Sequence, residues 1–216
     1  MPRASKRDKM FFIDAFFDAL DKRIEFLAEL ENSGHEQESL LLCTCYIDGL
    51  GQSLYWPDER SNLCFVHVLK EFGGEEILSK IHPRMLREAM AQLKSKMAKR
   101  ILSKVDSRVR RVYGQLKDET EVVAMLGPLL SAEELTWLKD ELWRGTLAAI
   151  AYKKIRGPSV HNLGAPGGIY FDRTTHRGRS VPTIDFEMLH GCLRRISHVA
   201  RTRSTSSAKW FGHDFK

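Results

Sequence analysis

The chain has 216 residues, 43% of them hydrophobic and 29% charged, which is enough to bury a sizeable core and too apolar for a disordered chain. Glycine and proline, at 15 and 7 residues, exclude a collagen-like or fibrous protein. The net charge of +6 is uneven: residues 150–216 hold twelve Lys/Arg against four Asp/Glu, while residues 1–149 hold twenty-two against twenty-four.

Apolar residues at Phe12, Phe16, Ala19, Leu20, Ile24, Leu27 and Leu30 recur at helical spacing and predict an amphipathic helix over 8–32, ended by Asn32-Ser33-Gly34. A second helix, 36–55, is apolar nearly all round between Leu40 and Ile47, the profile of a helix inside a bundle. Ser61 to Phe72 reads as a third, stopped by Gly73-Gly74. Pro83 opens a helical stretch over 84–112, whose run 94–111 carries eight Lys/Arg and the single acid Asp106. After the Gly127-Pro128 turn, Ser131 and Glu134 form a capping box that starts a long helix running to Ile155.

The texture then changes. The Gly164–Gly168 turn cluster, Ile169–Phe171, a polar tip and Val181–Ile184 predict a small β-hairpin, with Pro182 marking an edge strand. Helical spacing resumes from Asp185 to Val199, and residues 201–216 read as a basic, disordered tail. The expected fold class is mainly α: one helical bundle over 1–200 with a hairpin before its last helix.

Several functions are excluded on motif grounds. The longest uncharged run in the first half, Ser39 to Ile47, is far below the roughly 20 residues of a membrane span. Asp14 and Asp18 interrupt the N-terminal apolar run, so a signal peptide is not expected. Cys43, Cys45, Cys64 and Cys192 have no framework spacing and read as reduced core thiols of a cytoplasmic protein. No phosphate loop, dinucleotide fingerprint or zinc motif occurs, so neither metal nor cofactor is expected. His190 and His198 lie eight apart on one helix face and read as surface residues.

The segment from Tyr152 to Asn162 gathers Lys153, Lys154, Arg156 and His161 where a helix should end. Pro158 biases Gly157 away from helical geometry, so the break allows Arg156 and His161 to face one surface. Histidine exchanges protons near neutral pH, and arginine holds phosphate and the charge of a phosphoryl transition state. Arg156-x4-His161 resembles the Arg-x(4–6)-His signature of the HEPN superfamily, helical-bundle proteins of which many are metal-independent endoribonucleases. Tyr46-Ile47-Asp48 on the second helix, Lys154-x-Arg156 and the Gly167-Gly168-Ile169-Tyr170 turn are similar to an uncharacterised HEPN-like group. Arg60 and His67 also match the spacing, but His67 sits amid an apolar helix face, and that match is read as accidental.

The resemblance implies His161 acting on the 2′-hydroxyl or the leaving oxygen and Arg156 binding the scissile phosphate, with cyclic-phosphate products and a homodimeric site. It implies a toxin or phage-defence role with an antitoxin-like protein partner. Asp48 is a candidate for orienting Arg156, and Ser159 and Asn162 for bonding phosphate or sugar. Lys153, Lys154, Arg173, Arg177 and Arg179 are candidate RNA phosphate contacts, and Tyr170 a stacking platform. Gly157-Pro158 stands where active members often carry a polar residue. It favours the alternative, a catalytically silent dimerisation or binding module for protein or nucleic acid. A third reading is a helical adaptor with a coincidental motif.

Overall fold

The computed structural model describes residues 5–55, 61–156, 168–171 and 174–211. It is a mainly α-helical bundle with a small hairpin before the last helix. Helix α1 (Lys6–Asn32) begins at a capping box in which Ser5 and Asp8 each satisfy a backbone amide of the other. Helix α2 (Glu36–Tyr55) buries Leu40, Cys43, Ile47, Leu50 and Leu54. It meets α3 (Ser61–Phe72) at Gly51, where a Cβ would come 2.8 Å from the Cys64 carbonyl oxygen. Only a glycine allows that approach.

The buried face of α1 differs from the sequence reading by one residue over its first half. Ile13, Phe17, Leu20, Ile24 and Leu27 face the core. Phe12, Phe16 and Ala19, expected inside, are exposed together with Phe11 and Phe26. Both stripes have three-four spacing, and periodicity cannot say which one the bundle covers.

Two larger corrections concern helices expected to be continuous. The 84–112 stretch divides into α4 (Pro83–Gln92) and α5 (Lys96–Arg110), because Ser95 starts the second by accepting from the Ala98 amide. The helix expected over 131–155 becomes α7 (Ala132–Glu141), a 3₁₀ turn Leu142–Gly145, and the short α8 (Leu147–Ala151). Thr146 takes an extended conformation and caps α8 through the Ala149 amide at 3.2 Å. Helix α6 (Glu119–Leu126), not foreseen, lies between. Every residue of α8 is buried, and its alanines let it thread the bundle centre beside α3.

Two apolar cores result. The first joins α1, α2, α3, α8 and the last helix; the second joins α4 to α7. Residues 80–82 run along the seam. Ile81 pairs with Lys117 and Thr146, His82 donates its amide to the Gly145 carbonyl at 2.8 Å, and buried Lys80 binds Glu76 and Asp118.

The hairpin is broken into two short antiparallel pairs. β1 (Gly168–Ile169) pairs with β4 (Ile184–Asp185), and β2 (Thr175–His176) with β3 (Arg179–Ser180) around an Arg177-Gly178 turn. Helix α9 (Phe186–Ser207) starts at Asp185, which accepts from the Met188 amide. It runs eight residues past the expected end at Val199, into the segment expected to be disordered. Arg201 explains the extension by binding Asp14, Asp18 and Asp21 of α1. Trp210 and Phe211 then pack on Phe16 at ring-centroid distances of 4.8 and 5.8 Å.

Candidate functional site

The chain leaves α8 in a π turn, Tyr152–Arg156, which buries Ile155 and leaves Lys153 and Lys154 exposed. Wide turns of this kind recur at functional sites because they rotate side chains out of the helical register. Here the rotation brings Arg156 against α2, where its Nη2 lies 2.9 Å from Asp48 Oδ2. The Asp48 side chain is only 4% exposed and that of Arg156 21%. Gln52, one turn along α2, donates to the same Oδ2 at 3.1 Å. The guanidinium also lies over the Tyr152 ring, 5.5 Å from its centroid. Tyr152 is in turn supported edge-on by Phe65, fully buried in α3.

The pair is anchored but incompletely bonded. Among the described residues, Asp48 Oδ1 and Arg156 Nε are buried with no hydrogen-bond partner. A side-on two-bond fork through Nε and Nη2 would have used both atoms. Cys45, one turn before Asp48, is exposed rather than in the core. Burial of its sulfur pushes its pKa up, opposed by Arg156 and reinforced by Asp48, which favours the neutral thiol over a nucleophilic thiolate. Cys43 and Cys192 are buried, and burial raises both thiol pKa values, that of Cys192 to about 11.

The remaining candidate residues divide. Lys154 and Tyr170 line one cavity, Tyr170 with 77% of its surface exposed. Lys153 is instead tied to the end of α4, donating to Gln92 at 2.6 Å. Arg177 occupies the hairpin turn in a left-handed conformation, 3.6 Å from Asp118, and Arg179 is exposed on β3. His161, Ser159, Asn162 and Arg173 lie outside the described residues.

The basic run on α5 is partly neutralised. Arg100 and Lys104 bind Glu134, and Arg110 binds Asp106, whereas Lys94, Lys96, Lys99, Arg108 and Arg111 are exposed. His190 is half-buried, stacked on Phe186 at 5.0 Å, with Nε2 2.9 Å from the Ile24 carbonyl oxygen. It is a packed residue rather than the surface one expected. Among the described residues no group of three or more His, Cys, Asp or Glu is placed to hold a metal ion, and no helix is long and apolar enough to cross a membrane.

Sequence reasoning overlooked His82. It precedes α4, is 7% exposed, and lines the same cavity as Lys154. The His82-Pro83 pair ahead of a helix was the available signal, since proline at the first helical position marks the residue before it as a cap. No protein-family model, curated protein or solved structure matches the chain.

Proposed function

We propose that the protein is a HEPN-like, metal-independent endoribonuclease in which Arg156 binds the scissile phosphate and His161 transfers the proton. The observation that carries this reading is the ion pair between buried Asp48 on α2 and half-buried Arg156 at the end of the π turn, immediately ahead of the segment bearing His161. A carboxylate that fixes a guanidinium through one bond leaves its other donors for phosphate. In the reaction the 2′-oxygen attacks phosphorus as its proton passes to His161. The bond from phosphorus to the 5′-oxygen breaks, and that oxygen takes a proton from the imidazolium or from water. A 2′,3′-cyclic phosphate and a 5′-hydroxyl result. Lys154, the α5 cations and the hairpin arginines would supply backbone affinity without sequence choice.

A homodimer belongs to the same reading, and α1 offers its surface. Phe12, Phe16, Ala19, Arg23, Phe26 and Leu30 follow strict four-three spacing, all but Leu30 exposed, with Phe16 already carrying Trp210 and Phe211 on one side. That is the seam an identical helix would fill. Antiparallel pairing about Ala19 would place Phe12 opposite Phe26 of a second copy, with small side chains at the crossing point. A toxin or defence role, with an antitoxin-like protein covering the site, follows from the resemblance.

The second reading, a silent binding module, draws on the same ion pair, because a guanidinium already bound to carboxylate is less available to substrate. Mixed RNA incubated with the protein in EDTA separates the two. Cleavage to cyclic-phosphate ends, lost in both Arg156→Ala and His161→Ala, is the expected result. RNA left intact by excess wild-type protein would hand the site to the binding-module reading.

A further inference from the structure

The two apolar cores do not close completely on each other. Between α4, the π turn and β1 lies a cavity of about 750 Å³, within the range of small-ligand sites. Met85, Ile169 and Phe171, which line it, are half-buried side chains packed on the first core, whereas half-buried Tyr113 belongs to the second. Buried Ile150 of α8 adds to the apolar lining. Apolar side chains of both cores thus converge on a space that none of them fills. Joints between two packed units are common places for ligands.

The charges on this wall cancel but for one. Arg84 donates to Glu88, one turn along α4, at 2.9 Å, so each answers the other. His82 is buried, and that burial, with Arg84 nearby, lowers its pKa and keeps the imidazole neutral. Its Nε2 lies 3.5 Å from the hydroxyl of buried Thr174. Lys154 is the exception: it is exposed, and no carboxylate pairs with it among the described residues.

A ligand suited to this space has a large apolar body and a single negative charge. A dianionic phosphate ester or a polyanion fits poorly, because it would meet one ammonium and stand beside the Glu88 carboxylate. A carboxylate takes a charge-assisted hydrogen bond from one ammonium and needs no second cation. We infer that the cavity binds an amphipathic monocarboxylate, its chain or ring among Met85, Tyr113, Ile150, Ile169 and Phe171 and its carboxylate on Lys154. Such a ligand touches side chains of both cores and so stabilises their joint. The proposed reaction plays no part in this binding, which stands or falls independently of RNA cleavage.

Calorimetric titration of the full chain near neutral pH with octanoate, decanoate and naphthalene-1-acetate tests it, with octan-1-ol, octylamine and octyl phosphate as controls. At least one carboxylate should bind once per chain with a Kd of about 1 mM or tighter, and should raise the melting temperature. If the body is a chain, decanoate should bind about tenfold more tightly than octanoate, since two more methylenes leave water. If it is a ring system, naphthalene-1-acetate should bind tightest. Lys154→Met, at an exposed position, should weaken the carboxylates about tenfold and leave octan-1-ol unaffected. Phe171→Ala should weaken the acids and the alcohol alike, with circular dichroism checking its fold. Phe12→Ser and Phe26→Ser, on the exposed face of α1, should change nothing, which separates the cavity from adsorption on that face. No carboxylate bound at about 10 mM overturns the proposal. So does octylamine or octyl phosphate binding as tightly as octanoate, affinity that survives Lys154→Met, or binding abolished by the α1 substitutions.

Discussion

In the second core Glu134 is 1% exposed and completely engaged. Lys104 reaches both its oxygens at 2.7 and 2.8 Å, Arg100 lies at 2.8 Å, and the Ser131 amide donates at 2.7 Å. Asp48 in the first core is almost as deeply placed, yet both its partners meet one oxygen and the other has none among the described residues. Each carboxylate paid a similar desolvation cost on folding, but only Glu134 recovered it through all its lone pairs. A carboxylate engaged on both oxygens is fixed by its network, whereas one held through a single oxygen contributes less to holding its surroundings in place. If the proposed function holds, the two cores divide the labour: α4 to α7 brace the molecule, and α2 with the π turn presents Arg156.

The strongest test removes one large side chain from each core. Phe65→Ala should cost about 3–5 kcal/mol in urea denaturation, and Leu138→Ala about 2–5 kcal/mol, since both are fully buried. Only the first should also impair the site, because Phe65 supports Tyr152 beneath Arg156. Equal loss of RNA cleavage or binding, measured well below both unfolding midpoints, would abolish the proposed division. Asp48→Asn is the next step down. It keeps the shape but deletes the charge partner of Arg156, and should destabilise by about 1–3 kcal/mol, the scale of a hydrogen bond to a charged group. The value belongs at the low end because Arg156 retains access to water. If Asp48 positions Arg156, kcat should fall more than KM rises, and Arg156→Lys should not restore it; an unchanged kcat would reduce Asp48 to a structural partner.

Much of this contrast was readable in advance, and the unreadable part has a physical origin. The bounds of α2 and α3 follow from Gly, Pro and apolar spacing, and the Ser131–Glu134 box appears where the residues place it. Asp48 was a candidate for orienting Arg156 from the neighbouring helix, and the two side chains are in contact. The π turn was not foreseen, because nothing in local propensity separates Tyr152–Arg156 from an α-helical continuation. Thr146 looked like a mid-helix residue, and only burial against residues 80–82 of the seam gives it a capping role. The tail misled for the same reason: Arg201 and Ser204 look like a polar linker until Asp14, Asp18 and Asp21 stand opposite. His82 was missed because a lone histidine carries no periodic signal.

Acid should find the bracing region first. Lys104, the Ser131 amide and Arg100 hold the Glu134 carboxyl down at about 2 from its ordinary 4.5. Asp118 and Asp106 are also held low, by Lys80 and by Arg87 with Arg110. For a carboxylate depressed by folding, the stabilisation is complete above the unfolded value and disappears as pH falls through the folded one. Stability should therefore decline between about pH 4.5 and 2, and Glu134→Gln should flatten that slope while lowering stability at neutral pH. A melting temperature with the same acid dependence in wild type and variant would show that Glu134 is not the group being titrated.

A smaller effect is expected at the capping serine itself, and it isolates the carboxylate's share of the network. Ser131 Oγ accepts from the Glu134 amide at 3.3 Å, the longer half of the box, while the 2.7 Å bond from the Ser131 amide to Glu134 survives any substitution but proline. Ser131→Ala should cost about 0.5–1 kcal/mol, toward the low end for an N-cap. Ser5→Ala, at a capping box on the exposed start of α1, provides the matched control. Its first turn can fray into water without disturbing a buried group, so its cost should be smaller still. A double-mutant cycle of Ser131→Ala with Glu134→Gln completes the comparison. Coupling between them would mean the hydroxyl helps hold the carboxylate in place. Simple additivity would leave Lys104, Arg100 and the backbone amide as the anchors of the bracing core.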